Sequence, residues 1–463
     1  MRRNNVTSAA AFALLACLVS CTPDKDLAKA DLLITGGRLL NFEDTSHFEL
    51  SDILIDDGVI TKIAPHGDIS HRSAENAIDA RGLYLMPGVI DVHAHLGHGG
   101  LAENTDADRK EALAQFVRYG VTSIFVPGGG GGNDKQLQAW KKYCKVENKI
   151  CPRVFGSGNL ITAYGSHPIT TGWGLPADVD PEIIYERGAF AMNESDSAAL
   201  VIEQKVEAGV DAIKIVIEDG PGPFAPKPKM SRTLASRIVT EAHKRNLSVY
   251  AHVSLPSHID DAVAAGVDGV MHSVEEPLSE ETIAAMRSAQ MFFVPTLALY
   301  DGFRDQALGN REQEPYAISG VSKKALRSFD AEEYWLRLQG SQDEEAEFFA
   351  TLEDNLVRVD AAGIPVALGT DTNNPQVFPG YSAHEELSLM VEAGLTPSSA
   401  LSAATLGGAA FLGREKELGR IAVGYRADII GLRGNPLENI ENTRELAFVV
   451  QDGRSYDGIV SRN

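Results

Sequence analysis

The sequence predicts an α/β fold, a parallel α/β barrel joined to a small discontinuous β-sandwich made from both chain ends, and three observations predict it. Helical stretches alternate with short apolar strands through the middle of the chain, which is the order of a parallel α/β barrel. Both ends are rich instead in short alternating strands and turns, without a long helix. The apolar strands of the middle repeatedly finish on a histidine or an aspartate, and one of them holds a buried lysine.

In chain order, the N-terminus carries Arg2 and Arg3, an apolar run from Ala9 to Val19, and then Leu18-Val19-Ser20-Cys21. A basic start before an apolar stretch of about a dozen residues reads as a secretory signal, because a membrane span needs ~20. Leu18 to Cys21 resembles a bacterial lipobox, which implies a lipoprotein signal peptide over residues 1–21 and a lipid on the Cys21 thiol. Leu14-Leu15-Ala16-Cys17 is a second match, but the polar Thr22-Pro23-Asp24-Lys25 makes Cys21 the better end point. The expectation is a protein of the bacterial cell envelope, held to the membrane by this lipid anchor and facing the periplasm.

With 463 residues and 44% hydrophobic content, the chain can bury a large core, enough for one barrel plus a smaller domain. A net charge of -22 disfavours nucleic acid as a partner. Two of the four cysteines sit in the signal region, leaving Cys144 and Cys151, which an oxidising periplasm could join in a local disulfide and which could equally be two buried free thiols.

Residues 31–87 are punctuated by the turns Gly36-Gly37, Asp57-Gly58 and Arg81-Gly82, and residues 419–460 form a second β-rich piece. These two are expected to meet in the small domain, with residues 88–418 forming the barrel. Helices are expected over Arg109 to Tyr119, Ala198 to Ala208 and Leu234 to Arg245, each followed by an apolar strand. No repeat of fixed period appears beyond this alternation.

The stretch Leu85-Met86-Pro87-Gly88-Val89-Ile90-Asp91-Val92-His93-Ala94-His95 organises the rest. Val89 to Val92 reads as a buried strand opening after a Pro-Gly turn, and a spacing of two would put His93 and His95 on one face of it. Two neutral imidazoles converging on a point begin a metal site. Ala212 to Ile217 is an apolar strand interrupted by Lys214, and a lone buried lysine must lose its charge or gain a partner. Its functional reading is a metal ligand after carbamylation by CO2. Further strands end on His252, on His272 and on Asp371. A single histidine at a strand end is more often a core or rim residue; the whole ordered set is hard to dismiss.

This ordered set resembles the amidohydrolase superfamily, whose metal-dependent hydrolases are built on a (β/α)8 TIM barrel. The flanks match as well, from Asp31-Leu32-Leu33-Ile34-Thr35-Gly36-Gly37-Arg38 near the start to Ala403-Ala404-Thr405 and Gly424-Tyr425-Arg426-Ala427-Asp428 near the end. With Lys214, the chain is most similar to the prolidase-like, imidazolonepropionase-related group. The resemblance implies two divalent ions, one on His93 and His95 and one on His252 and His272, with the Lys214 carbamate between them and Asp371 on the first. This donor mixture suits Zn2+, with Mn2+, Co2+ or Fe2+ as alternatives.

Three loops bear on the pocket. Pro127 precedes five glycines, Gly128 to Gly132, which no Gly-Lys-Ser/Thr follows; a flexible loop at the active face is expected rather than a phosphate loop. His167 stands where the prolidase-like group has a substrate-contacting histidine, although Tyr164-Gly165-Ser166-His167 departs from the group's Gly-Gly-His form. Tyr300, a second candidate substrate contact, stands where a strand gives way to an acidic helical insert, residues 301–350, expected to be a lid over the site ahead of a merely decorated crossover.

The expected chemistry is hydrolysis of an amide in a small molecule, a dipeptide or N-acyl amino acid. Water near two cations is acidified toward neutrality, and Asp371 would take its proton and return it to the leaving nitrogen. The competing classes are a cyclic-amide, lactone or imidazolone hydrolase, a deaminase, and a lipoprotein that only binds ligand. Lys214 argues against a mononuclear deaminase, and Asp371 argues against a mere binder. The sequence leaves the oligomeric state open, a homo-oligomer included.

Overall fold

The computed structural model describes residues 29–40, 49–96, 105–130, 132–146, 149–220, 226–308 and 342–457. The signal-like residues 1–21 and the greater part of the expected lid, residues 309–341 of the 301–350 insert, lie outside the described residues. Among the described residues no helix is long and apolar enough to cross a membrane.

From the N-terminal end come β1 (Ala30–Leu39), β2 (Glu49–Asp56), β3 (Val59–Pro65), β4 (Ala74–Asp79) and β5 (Tyr84–Pro87). β1 pairs antiparallel with β2 and parallel with β4 and β5, and its register with β2 shifts between Ile34 and Gly37. The shift takes Gly36 out of the ladder, so its N–H needs another acceptor. The buried Asp52 supplies it at 3.0 Å, and also accepts from the Thr35 hydroxyl at 2.7 Å and the Gly67 N–H at 2.8 Å.

The chain then passes through Gly88 into parallel sheets. A Cβ on Gly88 would lie 2.2 Å from Thr122 Oγ1, so only glycine permits this junction. β6 (Val89–Asp91), β7 (Val121–Val126) and β8 (Arg153–Gly156) make a three-stranded parallel sheet. β9 (Leu160–Ala163), β10 (Ala189–Met192), β11 (Ile213–Val216), β12 (Val249–His252), β13 (Gly269–Met271) and β14 (Phe292–Val294) make a six-stranded one, in the order β10-β9-β11-β12-β13-β14 and parallel throughout. Two links join them. Asp211 N–H donates to Gly156 O at 2.8 Å, from the start of β11 to the end of β8. On the other side Val366 bridges in parallel to Phe293 of β14, while Val92 N–H donates to Leu368 O at 2.9 Å.

These strands read as continuous apolar runs because they are covered on both faces; every residue of β7 and β11 is buried. The three expected helices are found as Asp106–Arg118, Ala198–Glu207 and Arg232–His243. Thr105 and Asp108 close a capping box on the first, and Ser197 and Ser231 cap the other two. The last buries Leu234, Ala235, Ile238, Val239 and Ala242, the spacing of one helical face.

At the C-terminal end β15 (Ile429–Leu432) pairs antiparallel with β5, β16 (Leu446–Gln451) with β15, and β17 (Arg454–Asp457) with β16. Both chain ends thus share one eight-stranded sheet. Arg153, on β8, reaches Asp428 at 2.6 Å and Asp452 at 2.5 Å, tying that sheet to the parallel strands. Cys144 and Cys151 are joined as a disulfide with Cα atoms 5.3 Å apart.

Candidate metal centre

The C-terminal ends of the parallel strands deliver the candidate residues to one place. β6 itself ends at Asp91, so His93 and His95 lie just past the strand rather than on it. What fixes them there is Asp91, fully buried, which accepts from His93 N–H at 3.0 Å and from the Thr370 hydroxyl at 2.6 Å. Burial pushes the Asp91 carboxyl up to about 7, against the hydrogen bonds from Thr370 and His93. His93 O accepts in turn from Asp371 N–H at 2.7 Å, and His95 N–H donates to Thr372 Oγ1 at 3.1 Å. The two segments, far apart in sequence, are thereby laced together.

The result is a first donor set. His95 Nε2 lies 2.9 Å and His93 Nε2 3.5 Å from Asp371 Oδ1. Yet Asp371 Oδ1 is buried without a hydrogen-bond partner, so the near approach of His95 is not an aligned bond. His93 Nδ1 and His95 Nδ1 are equally unpaired. Buried polar atoms are normally satisfied, and an unpaired buried carboxylate oxygen approached by two imidazole nitrogens is a donor set that fits a cation.

A second donor set stands beside it, formed by His167, Glu218 and His252. Glu218 was not anticipated from the sequence. It follows Ile217 four residues after Lys214, a carboxylate at the end of an apolar strand like Asp371, and that position was the signal that could have found it. Glu218 is fully buried; Oε2 is hydrogen-bonded to His252 Nε2, while Oε1 has no partner and lies 3.5 Å from His167 Nδ1. The His167 ring stacks on His252 with centroids 4.5 Å apart, and its Nδ1 bonds Thr171 Oγ1 at 2.7 Å. His272 stands between the sets, its ring 4.6 Å from His93 and 4.3 Å from His252. Its Nδ1 meets Thr296 Oγ1 at 3.0 Å.

Two of these residues hold left-handed backbone, His272 at φ 82° and Asp371 at φ 57°. Non-glycine residues there cost roughly 1–3 kcal/mol each and persist where the surroundings over-determine them. The bond from Asp371 N–H to His93 O and the bond from His272 N–H to Val294 O, 2.9 Å, do this.

Lys214 is buried within β11, and its Nζ donates to Met271 Sδ at 2.7 Å. A thioether is a weak acceptor for an ammonium. Burial lowers the Lys214 pKa to about 7, against the opposing pull of Asp371 and Glu218. Burial also drives His93, His252 and His272 well below the ordinary histidine value, with the Lys214 charge adding to the effect in each, and brings His167 to about 4. These rings are therefore neutral, the form that binds metal.

Tyr300 lies in the helix Leu297–Leu308 and donates its hydroxyl proton to Ser273 O at 2.8 Å, next to His272. Burial and the charges of Glu275, Glu218 and Asp371 hold its phenol well above the usual value. That helix starts on Glu386, which accepts from Leu297 N–H at 3.0 Å and Ala298 N–H at 2.6 Å. In the glycine run, Gly129 stands against the His95 ring, and a Cβ on Gly128 would lie 2.5 Å from Gly158 O. Gly128 is thus packed close against backbone beside the site, rather than part of an open loop; Gly131 lies outside the described residues.

The profile of the Amidohydrolase family matches residues 84–460. Ochratoxinase of Aspergillus niger is 25% identical over 94% of this chain and 88% of its own length. Imidazolonepropionase of Caldanaerobacter subterraneus subsp. tengcongensis is 24% identical over 84% of this chain and 85% of its own. Among solved structures, a Xaa-Pro dipeptidase with methionine bound in its active site superposes with a TM-score of 0.72 at 22% identity, covering 92% of this chain and all, 100%, of that one. A molinate hydrolase superposes with a TM-score of 0.71 at 21% identity, covering 93% and 95%. At such identities the structural likeness speaks for the fold.

Proposed function

The chain belongs to the Amidohydrolase family, and from that premise we propose that it uses two divalent metal ions to hydrolyse an amide bond in a small molecule, a dipeptide or N-acyl amino acid. The two parallel sheets, linked through Asp211 on one side and residues 365–371 on the other, are read as one (β/α)8 barrel with the site at its C-terminal rim.

One observation carries the reading. His93, His95 and Asp371 converge with Nε2 and Oδ1 atoms within 3.5 Å, while Asp371 Oδ1 makes no hydrogen bond. The residues present fit a divalent ion of the Zn2+ type, since two imidazoles and a carboxylate are a usual donor set for it. His252, His272 and Lys214, the last as a CO2-derived carbamate, would serve the second ion. A lysine buried against a thioether gains from conversion to an anion that cations surround.

Bound ions would polarise the scissile carbonyl and acidify the attacking water. The chain's own residues do the rest. Asp371 Oδ1, unpaired and buried, takes the proton of the water and returns it to the leaving nitrogen, as base and then acid. Its backbone bond to His93 keeps the carboxylate in register with both imidazoles. Asp91 and Thr370 hold the two segments together from beneath. His167 and Tyr300 stand at the rim as substrate contacts, the phenol also bracing the segment after His272.

A cyclic amide of the imidazolone type is the second reading, favoured by the imidazolonepropionases among the curated relatives. The Xaa-Pro dipeptidase among the superposed structures favours the first. The test is turnover of chelator-stripped protein, with and without added Zn2+, on a panel of Xaa-Pro dipeptides, N-acyl amino acids and an imidazolone. Metal-restored cleavage of the first two groups supports the proposal. Undiminished activity after stripping would sink it.

We further propose that residues 1–21 direct export and that Cys21 carries the lipid, on the strength of the lipobox-like Leu18-Val19-Ser20-Cys21. Cys21→Ser should abolish labelling by a radiolabelled fatty acid and leave the precursor unprocessed.

A further inference from the structure

We propose that Glu218 is a positioning residue for His252: it takes the Nε2 hydrogen of that ring and so leaves Nδ1 to the second metal ion. This rests on the metal-dependent reading above and keeps the ligands named there, His252, His272 and Lys214, unchanged. What it adds is a buried carboxylate that the ordered His-Lys-His-His-Asp pattern does not contain, acting on the ion only through a ring.

Glu218 Oε2 is hydrogen-bonded to His252 Nε2, while Oε1 has no partner and lies 3.5 Å from His167 Nδ1. The bond to His252 is thus the one hydrogen bond of this side chain among the described residues. An ionised carboxylate only accepts, so the hydrogen stands on Nε2, and a neutral imidazole with its hydrogen there has its lone pair on Nδ1. Which nitrogen of a histidine meets a metal is set by the bond the other one makes. Access then separates a positioning role from direct contact: the Glu218 side chain is 0% exposed and that of His252 17%. Substrate cannot reach the carboxylate, so its effect has to pass through the ring.

The carboxylate is itself held in place. Val216 of β11 lies beside His252 of β12, and Ile217 N–H donates to His252 O at 3.0 Å, so residue 218 follows directly on a segment bonded to the histidine. Glu218 O accepts from the Ser166 hydroxyl at 3.1 Å. The next residue, Asp219, meets His258 Nε2 at 3.1 Å, while His258 Nδ1 accepts from Leu255 N–H at 3.3 Å and Ser254 N–H at 3.4 Å. Consecutive carboxylates at the end of β11 therefore grip two rings of the next stretch of chain, His252 closing β12 and His258 in the first turn of the helix Pro256–Ala265. Stacking of His167 on His252 confines the ring further. A ligand imidazole whose other N–H is given to a carboxylate is fixed in tautomer and orientation and is a stronger donor to the metal.

The experiment measures Zn2+ affinity and stoichiometry of the full chain by competition with a chromophoric chelator, in wild type, Glu218→Ala and Glu218→Gln. Glu218→Ala should still take up as many ions as wild type at saturating Zn2+ but hold one of them ~10–100-fold less tightly. Glu218→Gln, whose amide oxygen still accepts from Nε2, should recover most of that affinity. A second readout does not depend on either variant folding: long-range proton–nitrogen NMR of the histidine-labelled, Zn2+-loaded wild type, with His252 assigned through His252→Asn, should find the His252 hydrogen on Nε2. A folded Ala variant with wild-type affinity for every ion, or a His252 hydrogen on Nδ1, overturns the positioning role and leaves the metal-dependent reading standing. A folded Ala variant that takes up one ion fewer even at saturation also overturns it, because Glu218 would then be bound to the ion directly. Wild-type protein that takes up no divalent ion overturns both.

Discussion

The Lys214 ammonium donates to the Met271 sulfur at 2.7 Å, and both side chains are buried. This pairing joins β11 to β13 across β12, in the middle of the candidate centre. A lysine left with a thioether is poorly compensated, and the proposed conversion of the amine to a carbamate anion would relieve that.

Lys214→Ala should therefore lose most activity, by more than the ~10–100-fold that loss of an outer-shell partner of a metal ligand costs. Addition of a short carboxylate such as acetate or propionate should restore part of the turnover by filling the vacated bridge. Steady-state rates with and without the acid measure this; rates that ignore the acid at every concentration count against the bridge.

Asp371→Asn preserves the side-chain shape and one coordinating oxygen but cannot carry a proton. Turnover should fall ~10²–10⁴-fold while the Km for substrate changes little. An Asn variant with wild-type kcat would remove Asp371 from proton transfer.

Gly369 faces His93. A Cβ there would lie 2.7 Å from His93 Cβ and 3.2 Å from His93 N, atoms that cannot swing away, and 2.6 Å from Val294 Cγ1. Gly369→Ala should cost ~1–3 kcal/mol by overpacking and push His93 off its partners. Urea unfolding gives the first quantity and bound metal the second; an Ala variant unchanged in both contradicts the contact.

Asp52 provides a pH test remote from the centre. Burial raises its pKa, but hydrogen bonds from His66, Thr35, Gly67 and Gly36 outweigh burial and hold it at about 2. A folded pKa below the unfolded value near 3.9 means that the ionised carboxylate stabilises the fold above that unfolded value. The stabilisation is lost as pH falls toward 2. Asp52→Asn should thus be less stable than wild type at pH 7, with the gap closing between about pH 4 and pH 2. Urea titrations of both proteins across that range read the gap; one that stays constant refutes the linkage.

Much of the centre was legible in the chain itself. Buried parallel strands must be apolar along their whole length, so a His, Lys or Asp interrupting or ending such a run stands out, and His93, His95, Lys214, His252, His272 and Asp371 were all readable in this way. The alternation of helices and strands, with serine and threonine caps, likewise marked the helices at Ala198–Glu207 and Arg232–His243. Local chemistry sufficed because period and capping are local properties.

What only the tertiary structure decided is which donors face which. His93 and His95 lie past the end of β6, held by Asp91 and by the 370–373 segment, so a period-of-two argument could name the pair without placing it. His272 and Asp371 turn into the site through left-handed backbone, a conformation stabilised by bonds to Val294 and His93 that sequence-adjacent residues do not supply. Glu218 gave no metal-like pattern of its own and became conspicuous only when folding buried it against His252 with one oxygen unpaired. The sequence determined which residue types stand at the strand ends, because strand burial punishes any polar residue without a task. Their division into two sets was left to contacts between segments as far apart as His95 and Thr372, which no local rule can see.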